Sequence, residues 1–146
     1  MATKLSENFT LEELTHSETA LRRGFENNPE PAAYENLIRL ANLLEQVRKL
    51  LGKPIMINSA FRSKQVNDAV GSSDKSQHRK GCAADLRVPG VTPDEVVRAV
   101  IAAGLPYDQI IREFDRWTHI SIPNTEDAEP RGNALIIDKA GTRQFA

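Results

Sequence analysis

Apolar residues at Tyr34, Leu37, Ile38, Ala41, Leu44, Val47 and Leu51 recur at spacings of one, three and four. That period makes one stripe along about five turns of a helix. Gly52 follows as a natural stop, and Arg48 and Lys49 fall in the last turn, where cations suit the helix dipole. The stripe is read as core. Ahead of it, Thr10-Leu11-Glu12-Glu13 has the form of a capping box opening a short helix within a tethered segment, residues 5–28. Asn27 to Pro31 is a break. Ile55-Met56-Ile57 reads as a short buried strand and Asn58 to Arg62 as the loop leaving it. A short helix is expected over 63–70, ending at Gly71, then a flexible loop to Ser76. Ala83 to Val88 reads as a strand. Thr92-Pro93-Asp94-Glu95 carries a full helix start, and that helix runs to Ala103 before Gly104. Strands follow at 108–113 and 117–122, then a polar loop at 123–132 and a last strand at 134–137. The layout is α+β, with helices packed on a small antiparallel sheet.

A chain of 146 residues fits one domain, 1–146, and its 40% hydrophobic content can build a core. Nineteen basic residues face twenty acidic ones. That balance leaves no footprint for nucleic acid and no basic face for a membrane, so neither is an expected partner. Cys82 is the single cysteine, so no intramolecular disulfide forms and the fold stands without staples, as in a reducing compartment. The N-terminal stretch MATKLSENFTLEEL holds no apolar run of signal-peptide length, and no stretch approaches a membrane span. The expectation is a soluble monomer made without an export signal.

Two stretches carry more than structure: Ser76 to Asp85, and Trp117-Thr118-His119-Ile120-Ser121. A hydrolytic zinc site needs three nitrogen or oxygen ligands and one open position for water. Two imidazoles and one carboxylate leave the ion net positive, which lowers the pKa of bound water toward ~7. His78, Asp85 and His119 supply that set. Gly81 lets the chain turn back between His78 and Asp85. In the strand 117–122, Trp117, His119 and Ser121 share one face while Thr118, Ile120 and Ile122 share the other. Glu113 is the candidate general base. A three-residue hairpin loop would pair it with Trp117 and put it on the face of His119; a two-residue turn would put it on the opposite face. Asp115, in the turn, is the reserve. Spacing alone does not separate a metal triad from two structural histidines and a strand-end carboxylate. His16 has no partner in the pattern, and Cys82 reads as a small buried residue with at most weak metal contact.

The two stretches together resemble a known signature. Ser76-x-His78-x-x-Gly81-x-Ala83-x-Asp85 followed by Trp117-x-His119 is similar to that of the zinc D-alanyl-D-alanine metallopeptidases, which include carboxypeptidases, dipeptidases and phage endolysin endopeptidases. Ser59-Ala60-Phe61-Arg62-Ser63 resembles the family's Ser-Gly-Tyr-Arg-Ser loop. Asn8 to Leu14 and Glu113-Phe114…Trp117 resemble its small single-domain branch. The resemblance implies a hedgehog-like α+β fold, zinc on His78, Asp85 and His119, Glu113 as base, and Arg62 on the substrate carbonyl or carboxylate. It implies that Ser76 and Trp117 line the substrate cleft. Many relatives carry the base three residues before the last ligand; here that position is Arg116, and the glutamate stands six before.

By this likeness the substrate is a peptide of bacterial peptidoglycan, cut near a D-amino acid. With no export signal, a phage-type endolysin is expected, held in the host cytoplasm until lysis or carried on a virion. Two rivals stand beside it. Two histidines and a carboxylate also form the facial triad of non-haem iron oxygenases, although those usually space the first pair as His-x-Asp/Glu. The same fold can also serve as a non-catalytic wall-binding or virion structural module.

Overall fold

The computed structural model describes residues 3–145, so residues 1, 2 and 146 of the expected 1–146 domain lie outside the described residues. Among the described residues, five helices and six strands follow one another: α1 (Leu11–Thr15), α2 (Glu18–Arg23), α3 (Pro31–Leu51), β1 (Met56–Ser59), α4 (Lys64–Ala69), β2 (Ala83–Arg87), α5 (Pro93–Ala103), β3 (Gln109–Glu113), β4 (Trp117–Ser121), β5 (Asn133–Asp138) and β6 (Gly141–Gln144). The strands form one sheet in the order β1-β2-β4-β3-β5-β6. The fold is α+β, as the pattern predicts, with one correction. The sheet is not wholly antiparallel: β5 runs parallel to β3. The polar loop after β4 carries the chain back across the sheet, and β5 enters beside β3 from the same end.

The helix signals act as their chemistry requires. Thr10 accepts from the Glu13 backbone N–H, and Thr92 with Glu95 forms a complete capping box. The long helix starts at Pro31, three residues before its first stripe residue, because proline suits the first turn. Its buried side chains, Leu37, Leu40, Leu44 and Val47 among them, join Ala84 and Leu86 of β2, Ile110 of β3, Ile120 of β4 and Val97 and Val100 of α5 in one apolar cluster. Each fully buried leucine contributes about 1.5–3 kcal/mol.

Alternation then dictates what faces the other way. If Ala84, Leu86, Ile110 and Ile120 point into that cluster, Asp85, Ile111 and His119 must point to the opposite side of the sheet. Two elements escape the hydrophobic pattern. Helix α2 buries only Ala20, and β6 is exposed along its length. Strand β1 also runs on through Asn58 and Ser59, residues expected in a loop.

Candidate metal centre

Strand register builds the centre. Asp85 sits directly opposite His119 across the β2–β4 pair, Ser59 lies opposite Asp85 on β1, and Ile111 lies opposite His119 on β3. One row across four strands therefore reads Ser59, Asp85, His119, Ile111. His78 reaches the same point from the loop before β2. Gly81 makes that approach feasible. Its φ is +76°, and a Cβ there would stand 2.7 Å from the Ala33 carbonyl oxygen of α3. Gly81→Ala is expected to destabilise the fold by about 1–3 kcal/mol, through left-handed strain and a clash with backbone. Thermal unfolding would read this as a drop of about 2–4 °C per kcal/mol; an unchanged midpoint would contradict the close approach.

The three candidate ligands meet with donor atoms within 4.8 Å of one another. His78 Nε2 lies 3.3 Å from Asp85 Oδ2, and His119 Nδ1 lies 3.0 Å from Asp85 Oδ1. Tetrahedral zinc with bonds near 2.0–2.2 Å spaces its ligand atoms by about 3.4 Å. The chemistry of the donors fits as well as their spacing. His78 Nδ1 lies 2.7 Å from the Ala60 carbonyl oxygen. A carbonyl only accepts, so Nδ1 carries the proton and the neutral ring presents its Nε2 lone pair to Asp85. Two lone pairs facing each other at this distance need a cation between them. A proton is a poor choice, because burial pushes the His78 pKa down more than Asp85 raises it. A metal ion answers the geometry, and the Ala60 contact is the outer-shell bond that orients a ligating imidazole. Burial also acts on Asp85, pushing its pKa up, but its contact with His119, with His78 close by, outweighs this and holds it well below the usual carboxylate range.

Arg62 enters from the loop after β1. Its Nη2 lies 3.7 Å from Asp85 Oδ2, and its Nε donates to Ser59 Oγ at 3.4 Å. Burial lowers its pKa, opposed by the charges of Asp85 and Glu113. The loop is tied down on every side: Phe61 N–H donates to the Leu14 carbonyl and Arg62 N–H to the His78 carbonyl. Asn27, which the sequence presents only as part of a break, holds it too. Its Nδ2 donates to the Thr15 and Phe61 carbonyls, and its Oδ1 accepts from Ser63 N–H. An asparagine beside a break is the only signal that could have flagged it. Ser76 sits just before the centre, where its hydroxyl accepts from His78 N–H at 3.2 Å, so it shapes the ligand loop.

The β3–β4 connection is a three-residue loop, and Glu113 pairs with Trp117. Glu113 thus lies on the face of His119. Burial and the charge of Asp85 raise its pKa, against His119 and Arg62. A carboxylate raised in this way takes up a proton more readily than a free one, as a general base must. The loop has a cost, since Phe114 and Asp115 both take φ of 52° without being glycine. Phe114 N–H donates to the Ile137 carbonyl at 2.8 Å, and Asp115 pairs with Arg112 Nε at 3.2 Å, which offset the strain. Arg112 neighbours Glu113 on the strand and so points to the opposite face. Asp115, the reserve base, is drawn toward it and away from the triad.

Trp117 is half-buried beside Phe114, ring centroids 6.4 Å apart, and its indole Nε1 is buried with no acceptor among the described residues. Such an orphan costs roughly 1–3 kcal/mol. His16 is exposed and pairs with Glu18, outside the centre. Cys82 is fully buried, and burial pushes its thiol to about 11, so it is an inert core residue outside the cluster of ligand atoms.

The protein-family model described as Peptidase M15 matches residues 7–121. The matched stretch runs from before α1 to the end of β4 and takes in all seven candidate site residues; β5 and β6 lie beyond it. No curated protein matches the chain.

Proposed function

Because the chain belongs to the peptidase M15 family, the zinc D-alanyl-D-alanine peptidases, we propose that it hydrolyses peptide bonds of bacterial peptidoglycan with zinc on His78, Asp85 and His119. The observation that carries this reading is the convergence of three donor atoms within 4.8 Å, on the sheet face that also holds Glu113. Bound there, zinc would supply Lewis-acid polarisation of the scissile carbonyl and acidify the attacking water. Glu113 accepts the proton from that water and delivers it to the leaving amine. Arg62, fixed by Ser59 and Asp85, stabilises the negative charge that develops on the carbonyl oxygen. His78 is held in one tautomer by Ala60, so its Nε2 lone pair already faces Asp85.

Every group in this scheme lies in one domain over one apolar cluster, so the reading needs no residue from a second copy. The finer reading is a phage-type endolysin, released at lysis or carried on a virion, cutting near a D-amino acid. No helix of the described residues is long and apolar enough to cross a membrane.

The test is digestion of purified peptidoglycan. New amino groups are expected to appear, to stop on chelation and to return with zinc, and the product masses would name the bond. Sedimentation with the wall and no amine release would favour the non-catalytic wall-binding module. Activity that required iron and a 2-oxo acid would favour the oxygenase chemistry.

A further inference from the structure

At one end of the sheet, the turn between β3 and β4 and the turn between β5 and β6 flank an open cleft of about 640 Å³. Phe114 and Trp117 supply its aromatic surface, with Phe114 45% exposed. Four charged side chains line it, and they are not equivalent. Asp138 accepts from Arg143 Nη1 and Nη2 at 2.8 and 2.9 Å and from Ala140 N–H at 2.9 Å. Asp115 is paired with Arg112. Each carboxylate therefore has a cationic partner outside the cleft, with Arg112 shared among Asp94, Asp115 and Asp138. Arg116 and Lys139 are exposed and enter no ion pair among the described residues. What the cleft offers a ligand is an aromatic surface and two uncommitted cations.

Its position connects it to the reaction. Trp117 stands opposite Glu113 in the β3–β4 register and two residues from His119 on the same face, about 7 Å along the strand. A peptide whose scissile bond lies at the triad would have its next residue or two over Trp117. We propose that this cleft is a substrate subsite that takes a carboxylate-bearing residue flanking the scissile bond, recognised by Arg116 and Lys139 against the Phe114–Trp117 surface. The proposal rests on the peptidase reading for the identity of the ligand. Lys139 lies beyond the residues that the family match covers, so the preference belongs to this chain's C-terminal hairpin.

The hairpin also holds the subsite in shape. Phe114 N–H donates to the Ile137 carbonyl, and Arg112 lies 3.9 Å from Asp138. The two turns are thereby fixed to each other across the parallel β3–β5 pair.

Trp117 is the only tryptophan in the chain, so its fluorescence reports on the cleft without a label. The zinc-loaded protein would be titrated with a pentapeptide ending in D-alanyl-D-alanine and carrying one glutamate, and with its twin carrying glutamine. The acidic peptide is expected to bind at least fivefold more tightly. The double variant Arg116→Gln, Lys139→Gln is expected to bring the two affinities together, mainly by weakening the acidic peptide. Both substitutions are at exposed positions, and circular dichroism with zinc analysis would confirm an intact protein. Equal binding of the two peptides by the unaltered protein would overturn the subsite, as would undiminished discrimination in the variant. Cleavage of both peptides is followed in the same samples. Discrimination without cleavage would sustain the subsite and overturn the peptidase reading; cleavage without discrimination would do the reverse.

Discussion

Glu113→Gln is expected to lower the rate of peptidoglycan hydrolysis by about 10²–10⁴-fold, the usual contribution of a positioned general base. Zinc content should be unchanged. The amide matches the carboxylate in shape, so the Glu113–Trp117 pairing and the three-residue turn survive the change. What it lacks is a basic oxygen. The loss should fall on kcat more than on KM, because the proton is transferred only as the transition state forms. Amine release from the wall, with metal analysis of the same sample, checks both parts. Near-normal turnover would remove Glu113 from the mechanism. Asp115 would then be a poor replacement, since it is tied to Arg112 on the far side of the turn. Parallel loss in Asp115→Asn would instead show that the turn itself is needed to place Glu113.

That turn marks the border between what the chain discloses as a sequence and what it does not. The stripe of α3 is legible because every third or fourth residue meets the same core. The capping box of α5 is legible because its hydrogen bonds are local. His78, Asp85 and His119 are legible as residue types, but their meeting depends on the β2–β4 register, a contact between positions 34 residues apart. Strand alternation supplies half of this, by assigning His119 to the face away from Ile120. The register of Glu113 is not legible at all. It hangs on two residues in the left-handed region, Phe114 and Asp115, with no glycine to announce them, and on support from Ile137 and Arg112 that is tertiary. The parallel β3–β5 pairing and the polar edge strand β6 escape for the same reason, as neither has a hydrophobic period of its own. Asn27 shows the limit from the other direction. Its side chain bridges two loops, and nothing in its neighbours points to the one that carries Arg62.

His119→Ala is expected to cost zinc affinity by more than about 100-fold, since the loss of outer-shell partners alone costs 10–100-fold. After dialysis the variant should hold little zinc, and hydrolysis should disappear with it. The apo protein should also be weakened, because Asp85 would lose the nearer of its two imidazoles and keep only His78 and Arg62 at 3.3 and 3.7 Å. Leaving a buried acceptor short of a partner costs roughly 1–3 kcal/mol. The two effects separate in a thermal scan. Zinc at 100 times its Kd stabilises a folded protein by about 2.7 kcal/mol, so the unaltered chain should unfold at a higher temperature when zinc is added. In His119→Ala the baseline midpoint should fall and the response to zinc should vanish. A variant that kept stoichiometric zinc and an intact shift would remove His119 from the ligand set. The row from Ser59 to Ile111 would then be an arrangement of sheet packing, with His78 and Asp85 left to recruit a third ligand elsewhere.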